Sequence, residues 1–203
     1  MSSKRRNSAA NIRDRILDAA LTVLRERGEA GATTKEIARV AGCSEGSLYT
    51  HFADKGALLY AVMVERLPPF VPTLLAMLQR AGEDTLQEHL EEVARLAVPF
   101  YAEVMPMIAT VLASPELKEI MRRQNRGPHR ANEALAAYLR LEQRLGRIRA
   151  GVSVEAAAAL LLGACQQRAV NAQHTGEMLD AAADERFVKD LVDTLLHGLQ
   201  QPG

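Results

Sequence analysis

The stretch of residues 33–59, TTKEIARVAGCSEGSLYTHFADKGALL, limits the fold of this chain more than any other stretch. Thr33 is a good helix N-cap, and Glu36 follows three positions later, which is the pattern of a capping box. Gly42 permits the positive φ angle that a tight turn after a helix requires. Ser44 then caps a second short helix. The stretch therefore predicts a helix-turn-helix, the unit that places its second helix in the major groove of DNA.

The residues before and after this unit complete a small bundle. Residues 11–27 carry apolar side chains at three- and four-residue steps, which predicts a longer amphipathic helix. Asp54 is a predicted N-cap for the helix that follows. The buried side of the helix after Thr33 is predicted to be Ile37, Ala38, Val40 and Ala41. The predicted core of the bundle is Ile16, Ala20, Leu24, Ile37, Leu48 and Phe52.

Three runs together, ILDAALTVLRERG, TTKEIARVAGCSEGSLYTHF and DKGALL, resemble the N-terminal domain of the TetR/AcrR family of bacterial transcriptional regulators. The resemblance covers about the first 60 residues and is nearly gapless. Beyond them it is architectural, with a family-like last helix, FVKDLVDTLLHGL. It implies an all-α fold of about nine helices. A three-helix helix-turn-helix DNA-binding domain is expected at residues 11–56, and a helical ligand-binding and dimerisation domain at residues 57–203.

The resemblance also implies contacts with double-stranded DNA. Gly46 presents no side chain to a base, and Gly56 stands where a longer residue is common in the family. We therefore expect few side chains to contact base edges directly, and DNA shape to contribute to sequence preference. The expected phosphate contacts are Thr34, Tyr49, His51 and Lys55. The residues expected to face base edges are Lys35, Glu45, Gly46, Ser47 and Thr50.

Charge and composition bound the function class. Residues 1–56 carry a net charge of +3 and the remainder −3, the sign expected for a DNA-facing end. The abundance of Ala and Leu favours helix over strand. No run of 18 apolar residues and no apolar signal segment is present, so we expect a cytoplasmic protein without a membrane partner. Cys43 and Cys165 are not expected to form a disulfide in that compartment.

The remainder of the chain is predicted to be helical throughout. Pro68 and Pro69 are expected to break the first of its helices, and Pro99 to bend the second near its end. Ser153 is predicted to cap a strongly apolar helix. The predicted helices are residues 54–80, 85–103, 105–113, 115–124, 129–145, 153–174 and 184–199.

The last two long helices are the predicted dimer interface. The run VEAAAALLLGACQQRAV is apolar on more than one side and rich in small residues, so two of its faces are expected to be buried. Packing inside one subunit is the alternative. The resemblance implies a four-helix interface in a homodimer, which would hold two recognition helices one DNA turn apart. The predicted contacts are Leu161, Cys165, Arg168, Phe187, Leu191, Leu195 and Leu199.

The resemblance further implies a pocket for a small-molecule effector in the C-terminal domain. Flexible methionine side chains suit an apolar ligand, although core packing is the alternative for each residue. The predicted lining is Leu96, Phe100, Tyr101, Met105, Ile108, Met121, Asn125, Tyr138, Gln167 and Asn171.

Signs of catalysis are absent from the sequence. It has no phosphate-binding glycine loop, nucleophile elbow or HExxH motif, and its histidines are not at metal-ligand spacing. We therefore expect no enzyme, no cofactor and no metal site. The predicted function is a ligand-responsive dimeric repressor that binds a palindromic operator and is released by a small apolar molecule. An activator or a regulator without an effector is one alternative, and a helical small-molecule-binding or scaffold protein with a vestigial helix-turn-helix is the other.

Overall fold

The computed structural model describes residues 2–125, 127, 129–175 and 181–198, without the side chains of residues 2–10, 109–110, 173–174 and 181. The predicted all-α class is confirmed, and the described residues hold ten α-helices and one 3-10 helix. The helices are α1 (Ser2–Gly31), α2 (Thr34–Ala41), α3 (Glu45–His51), α4 (Lys55–Glu65), α5 (Phe70–Ala76), the 3-10 helix (Met77–Arg80), α6 (Leu86–Ala113), α7 (Pro115–Arg123), α8 (His129–Arg144), α9 (Val154–Thr175) and α10 (Ala181–His197).

The helices group into two compact units. One unit comprises residues 1–68 and 103–124, and the other comprises residues 69–102 and 125–203. Helix α7 thus belongs to the same unit as the helix-turn-helix. The predicted domain boundary after residue 56 stays a prediction.

The core of the first unit is the predicted one. All six predicted core side chains, from Ile16 to Phe52, are at most 7% exposed. Val40 was predicted to be buried and is 41% exposed. At 100° per residue, it lies on the edge of the α2 face whose centre is formed by Ile37 and Ala41, so its side chain misses the core. Burial of Leu48 in this bundle leaves the opposite face of α3 exposed to solvent.

Proline affects two helices differently. Helix α4 ends at Glu65 and α5 begins at Phe70, so the predicted break at Pro68 and Pro69 is confirmed. By contrast, α6 is continuous from residue 86 to residue 113, and the two helices predicted there are one. Apolar residues buried on both sides of its two prolines hold the helix together where each proline removes a backbone hydrogen bond.

Among the described residues, one segment has the composition of a membrane span. The stretch Lys55–Arg80 has a mean hydropathy of 1.4 over its best window and would be long enough to cross a bilayer. Its backbone is divided by the break between α4 and α5. A single such segment is weak evidence, because an apolar helix of a protein core passes the same test.

The second unit contains a buried polar network. Glu142 on α8 is fully buried, and its carboxylate accepts hydrogen bonds from Arg147 at 2.5 and 2.7 Å. Arg147 also donates to the backbone carbonyls of Glu83 and Asp84, which tie the loop before α6 to the loop after α8. The hydroxyl of Tyr138, one turn before Glu142, lies 2.6 Å from Nδ1 of the buried His89.

Candidate nucleic-acid interface and adjoining cavity

The ends of the helix-turn-helix are capped as predicted. The Thr33 hydroxyl accepts a hydrogen bond from the Glu36 N–H at 3.2 Å, and the Ser44 hydroxyl accepts one from the Ser47 N–H at 3.1 Å. Gly42 has φ 64° and ψ 40°, which confirms the left-handed turn residue. These contacts fix where α2 stops and α3 starts, and therefore which face of α3 is exposed.

The capping box is only half formed. The Glu36 carboxylate binds Arg39 at 2.7 and 2.9 Å and Arg27 at 2.9 Å. The Thr33 N–H, which that carboxylate would otherwise accept, donates to the Gly31 carbonyl at 2.9 Å. Hydrogen bonds from Arg39 lower the pKa of Glu36, and the surrounding charges of Arg27 and Arg39 act in the same direction. Glu36 therefore belongs to a surface ion-pair cluster and not to the cap.

The recognition helix α3 presents the predicted residues to solvent. Glu45, Gly46, Tyr49 and Thr50 are exposed, with Tyr49 at 49%, while Ser47 and His51 are half-buried and Leu48 is fully buried. Lys35 on α2 is also exposed. The Thr50 hydroxyl donates to the Gly46 carbonyl at 3.0 Å, so its one proton is used within the helix. The roles of these residues toward DNA stay predictions.

Two of the expected phosphate contacts already have acidic partners. The Thr34 hydroxyl donates to the Glu45 carboxylate and lies 3.4 Å from the Tyr49 hydroxyl. Lys55 binds the Glu29 side chain at 2.6 Å and the Glu29 carbonyl at 3.0 Å. A phosphate would therefore reach either residue only in exchange for an existing contact. Hydrogen bonds and ion pairs of this kind cannot be predicted from the spacing of residues in the sequence.

Packing explains the glycine at position 56. Gly56 is buried, and a Cβ atom there would stand 3.0 Å from Leu117 Cδ1 and 3.2 Å from Asp54 Oδ1. The Tyr60 hydroxyl, one turn further along α4, donates to the Gln124 side chain at 2.7 Å. The absence of a side chain lets α7 pack against the start of α4. The sequence gives no sign of this contact, because the two segments are about 60 residues apart.

No packing contact explains the glycine at position 46. A Cβ atom there would meet only Ser44 Oγ, at 3.9 Å, and the backbone of α3 is helical at that position. Nothing in the fold of this unit therefore requires a glycine in the middle of the exposed face.

The predicted effector residues occupy different environments. Tyr101 and Tyr138 are buried, and burial raises the pKa of Tyr101 to about 12. Phe100 stacks on Phe70 with ring centroids 4.7 Å apart. Met121 is buried in the other unit. The remaining predicted residues are half-buried (Met105, Ile108) or exposed (Leu96, Asn125, Gln167, Asn171).

A cavity of about 430 Å³ lies elsewhere in the second unit, and none of the ten predicted residues lines it. Its wall is formed by the start of α6, the middle of α8, the α8–α9 connection, α9 and α10. Two basic residues, Arg147 and Arg149, stand among its mostly apolar neighbours. The lining residues are Leu86, Leu90, Leu139, Arg147, Ile148, Arg149, Val152, Ser153, Ala156, Ala157, Leu160, Leu195 and Leu196.

Helix α9 turns different residues outward than predicted. Leu161 and Cys165 are fully buried within the subunit, and burial raises the pKa of the Cys165 thiol to about 12. Leu160, next to them, is 63% exposed. Because α9 is apolar on more than one side, its periodicity does not reveal which side faces inward. The exposed line along α9 consists of Ala156, Ala159, Leu160, Gly163 and Gln167.

The other predicted interface residues are accessible in part. Phe187, Leu191 and Leu195 on α10 are half-buried, and Arg168 pairs with Asp184 at 3.0 Å. Leu199 lies outside the described residues. Their role in an interface stays a prediction.

No group of three or more His, Cys, Asp or Glu side chains in the described ranges is placed to hold a metal ion.

Two parts of the chain match known families. Residues 16–62 match the bacterial regulatory proteins of the tetR family, and residues 99–198 match the C-terminal domain of the AefR-like transcriptional repressor. The HTH-type transcriptional regulator SrpR of Pseudomonas putida is 41% identical over 78 residues, which cover 36% of this chain and 37% of that protein. The uncharacterized HTH-type transcriptional regulator TtgW of the same species is also 41% identical over 78 residues, 36% of this chain and 58% of that protein. The match takes in less than two thirds of either relative.

Solved structures share the fold over nearly the whole chain. A transcriptional regulator from Rhodococcus sp. Rha1 is 25% identical with a TM-score of 0.67, covering 94% of this chain and 99% of that one. The regulator FadR from Bacillus subtilis, in complex with stearoyl-CoA, is 20% identical with a TM-score of 0.68, covering 92% and 98%. The helix-turn-helix geometry, the two family matches and the shared fold lead to one conclusion: the chain belongs to the TetR family of bacterial regulatory proteins.

Proposed function

We propose that this protein is a dimeric transcriptional repressor that binds a palindromic operator and is released from it by a small apolar molecule. The observation that carries the proposal is the exposed face of α3, which caps on both sides hold in a fixed position and which presents Tyr49, Thr50 and Glu45 to solvent. A short helix presented in this way fits the major groove. We further propose that the protein acts in the cytoplasm without a membrane partner, and that the DNA-binding domain comprises residues 11–56.

Dimerisation is part of the proposal for a physical reason. One seven-residue helix offers few contacts, and two copies on one duplex gain affinity by acting together. Helix α9 offers a suitable surface, because small residues flank the exposed Leu160 and allow another helix to approach closely. A two-fold dimer would place the same face of α9 against itself.

The cavity is the proposed effector site. A volume of about 430 Å³ lies within the range of small-molecule pockets, and the lining is dominated by leucine, alanine and valine. Arg149 is exposed at its rim, and Arg147 lies beside it. This combination suits an apolar molecule with one acidic group. A fatty acid has this chemistry. The FadR structure from Bacillus subtilis holds stearoyl-CoA, which shares the acyl chain and carries its charge on phosphates.

The test is selection of bound genomic fragments with the purified protein, followed by gel shifts of the best fragment at two salt concentrations. A palindromic site whose affinity falls steeply with salt supports the repressor, because phosphate contacts release counterions. Decanoate and stearoyl-CoA are then added to the complex. Release by either supports the effector, whereas the absence of any enriched sequence would favour a scaffold with a vestigial helix-turn-helix.

We expect substitutions of the proposed DNA contacts to separate affinity from specificity. Tyr49→Ala weakens binding to all duplexes by about tenfold, because it removes a phosphate contact. Lys35→Ala weakens operator binding and also relaxes the base preference at one position of each half-site, by about 1–3 kcal/mol. Gel shifts on the operator and on a scrambled duplex measure both effects. Lys118→Ala on α7 serves as the control. Equal loss on both duplexes for Lys35→Ala would remove it from base readout.

We expect Gly46→Ala to change the free energy of unfolding and the operator affinity in opposite directions. The substitution raises the free energy of unfolding by about 0.5–1 kcal/mol, because alanine favours helix and the position is open. If α3 lies close against the duplex, the added methyl group lowers operator affinity in spite of this gain. Denaturant unfolding and gel shifts on the same preparation measure the two quantities. Unchanged operator affinity would show that the glycine does not serve close approach.

A further inference from the structure

An acidic side chain stands where the protein is proposed to hold a DNA phosphate. The Glu45 carboxylate accepts the hydroxyl hydrogen of Thr34, and the Tyr49 hydroxyl lies 3.4 Å from the same Thr34 oxygen. Glu45 and Tyr49 are both exposed, so the cluster faces solvent on the same surface as the rest of α3. A carboxylate in this position opposes the binding of any backbone phosphate.

The hydrogen bond between Thr34 and Glu45 also opposes the binding of a phosphate. A threonine hydroxyl has one proton to donate, and that of Thr34 is used by Glu45. Thr34 can therefore donate to a phosphate only after Glu45 has left it. The exchange is favoured where the carboxylate finds another donor on the DNA, because a carboxylate without one is repelled by the nearby phosphate.

The DNA major groove offers donors of one kind. Cytosine and adenine carry exocyclic amino groups there, whereas guanine and thymine present only acceptors in addition to the thymine methyl group. A carboxylate has no proton to donate and is therefore excluded from guanine and thymine edges. Glu45 lies in the first turn of α3, the end of a recognition helix that usually contacts base edges.

We propose that Glu45 sets sequence preference by exclusion. On a duplex whose contacted strand has guanine or thymine at that position, the amino group of the base pair lies toward the other strand. The carboxylate then stays on Thr34, withholds that hydroxyl and repels the nearby phosphate. Where the contacted strand has cytosine or adenine there, the carboxylate moves to the amino group and Thr34 donates to the phosphate. This inference rests on the proposed DNA-binding function. It makes Glu45 a specificity-determining residue that acts mainly against wrong sequences.

The test uses Glu45→Gln and Glu45→Ala in the full chain. Glutamine keeps an acceptor for Thr34 and removes the charge, whereas alanine removes both. We expect Glu45→Gln to raise affinity for a scrambled duplex by about three- to tenfold, as removal of one like charge near a phosphate predicts. Glu45→Ala should raise it further, and the cytosine or adenine preference found by selection with the wild type should disappear. Glu116→Gln, the same charge change on α7, is the matched control.

Thr34→Val separates the two ways in which Glu45 is proposed to lower affinity for a scrambled duplex, by its charge and by its hydrogen bond with Thr34. In the Thr34→Val background, Glu45→Ala should raise scrambled-duplex affinity no more than Glu45→Gln does, because no hydroxyl remains to be released. An undiminished gain would overturn the role of Thr34. Equal scrambled-duplex affinity of wild type and Glu45→Gln would overturn the role of Glu45.

The two proposals fail separately. If the wild type selects no palindrome, the repressor proposal fails, but the comparison on scrambled duplex still reports on Glu45. If a palindrome is found and the Glu45 variants keep its full base preference, the repressor stands and the exclusion by Glu45 is wrong. Whether the variants lose a preference for cytosine or one for adenine identifies which amino group Glu45 contacts in the wild type.

Discussion

Arg147→Ala lowers the free energy of unfolding by about 3–5 kcal/mol, the usual cost of leaving a buried charge without its partner. Glu142 is fully buried, and two of the hydrogen bonds to its carboxylate come from Arg147. The Gly82 N–H, at 3.2 Å, would remain but carries no charge. The substitution also releases the carbonyls of Glu83 and Asp84, so the loop before α6 loses its attachment to the α8–α9 connection.

Thermal and urea unfolding measure the effect. For a chain of this length, 3 kcal/mol corresponds to a fall in Tm of about 6–12 °C. Arg130→Ala is the control, because Arg130 forms an ion pair with Glu133 one turn away on the surface of the same helix. Such pairs contribute about 0–1 kcal/mol. If Arg147→Ala changed stability no more than Arg130→Ala, the Glu142 carboxylate would have to be hydrated in solution.

The ion pair between Glu142 and Arg147 should also make the free energy of unfolding depend on pH in acid. Burial alone would raise the pKa of Glu142, but hydrogen bonds from Arg147, Tyr138 and the Gly82 N–H outweigh it and hold the pKa below its ordinary value of 4.5. A carboxyl with a depressed folded-state pKa contributes stability above its unfolded pKa and loses it as the pH falls through the folded one. The wild type should therefore lose stability below about pH 4.5, and Arg147→Ala should lose less of it over that range.

Local signals in the sequence predicted local structure well. The caps at Thr33, Ser44 and Asp54 depend on residues three positions apart, and each forms the expected hydrogen bond to the backbone. The breaks around Pro68 and at Gly42 are also local, because they depend on the φ angles those residues allow. The same reasoning correctly placed Leu48 and Phe52 in the core.

Contacts between distant segments could not be predicted in this way. Glu142 stands on α8 like any surface carboxylate, and nothing in its helix indicates that the loop at Gly82, 60 residues earlier, will lie against it. Gly56 was noticed as unusual, but its cause, Leu117, is about 60 residues away. The sequence did not predict that α6 continues past residue 104 and through Pro106, because packing on both sides of a proline outweighs the one hydrogen bond it removes. The cavity in the second unit could not be predicted for the same reason, since its wall combines five separate segments.

Leu160→Arg should dissociate the proposed dimer and lower operator affinity by at least about 100-fold, because linked binding of two heads contributes about 10² to 10⁴ in affinity. In a two-fold dimer each copy contributes the same face, so one substitution brings two like charges together. Leu160 is 63% exposed in the single subunit, whereas Leu161 beside it is fully buried. The substitution therefore leaves the core of the subunit intact. Leu160 also lines the cavity, so operator affinity is compared without added effector.

Sedimentation velocity gives the mass in solution, and gel shifts without added effector give operator affinity. Leu75→Arg is the matched control, because Leu75 is 40% exposed and lies on α5, away from α9. A monomer with weakened operator binding for Leu160→Arg, beside an unaffected control, would place α9 in the interface. A dimer of unchanged affinity would move the interface to another face. Half-buried Phe187 and Leu191 on α10 would then be the next positions to substitute, since a few residues carry most of the energy of an interface.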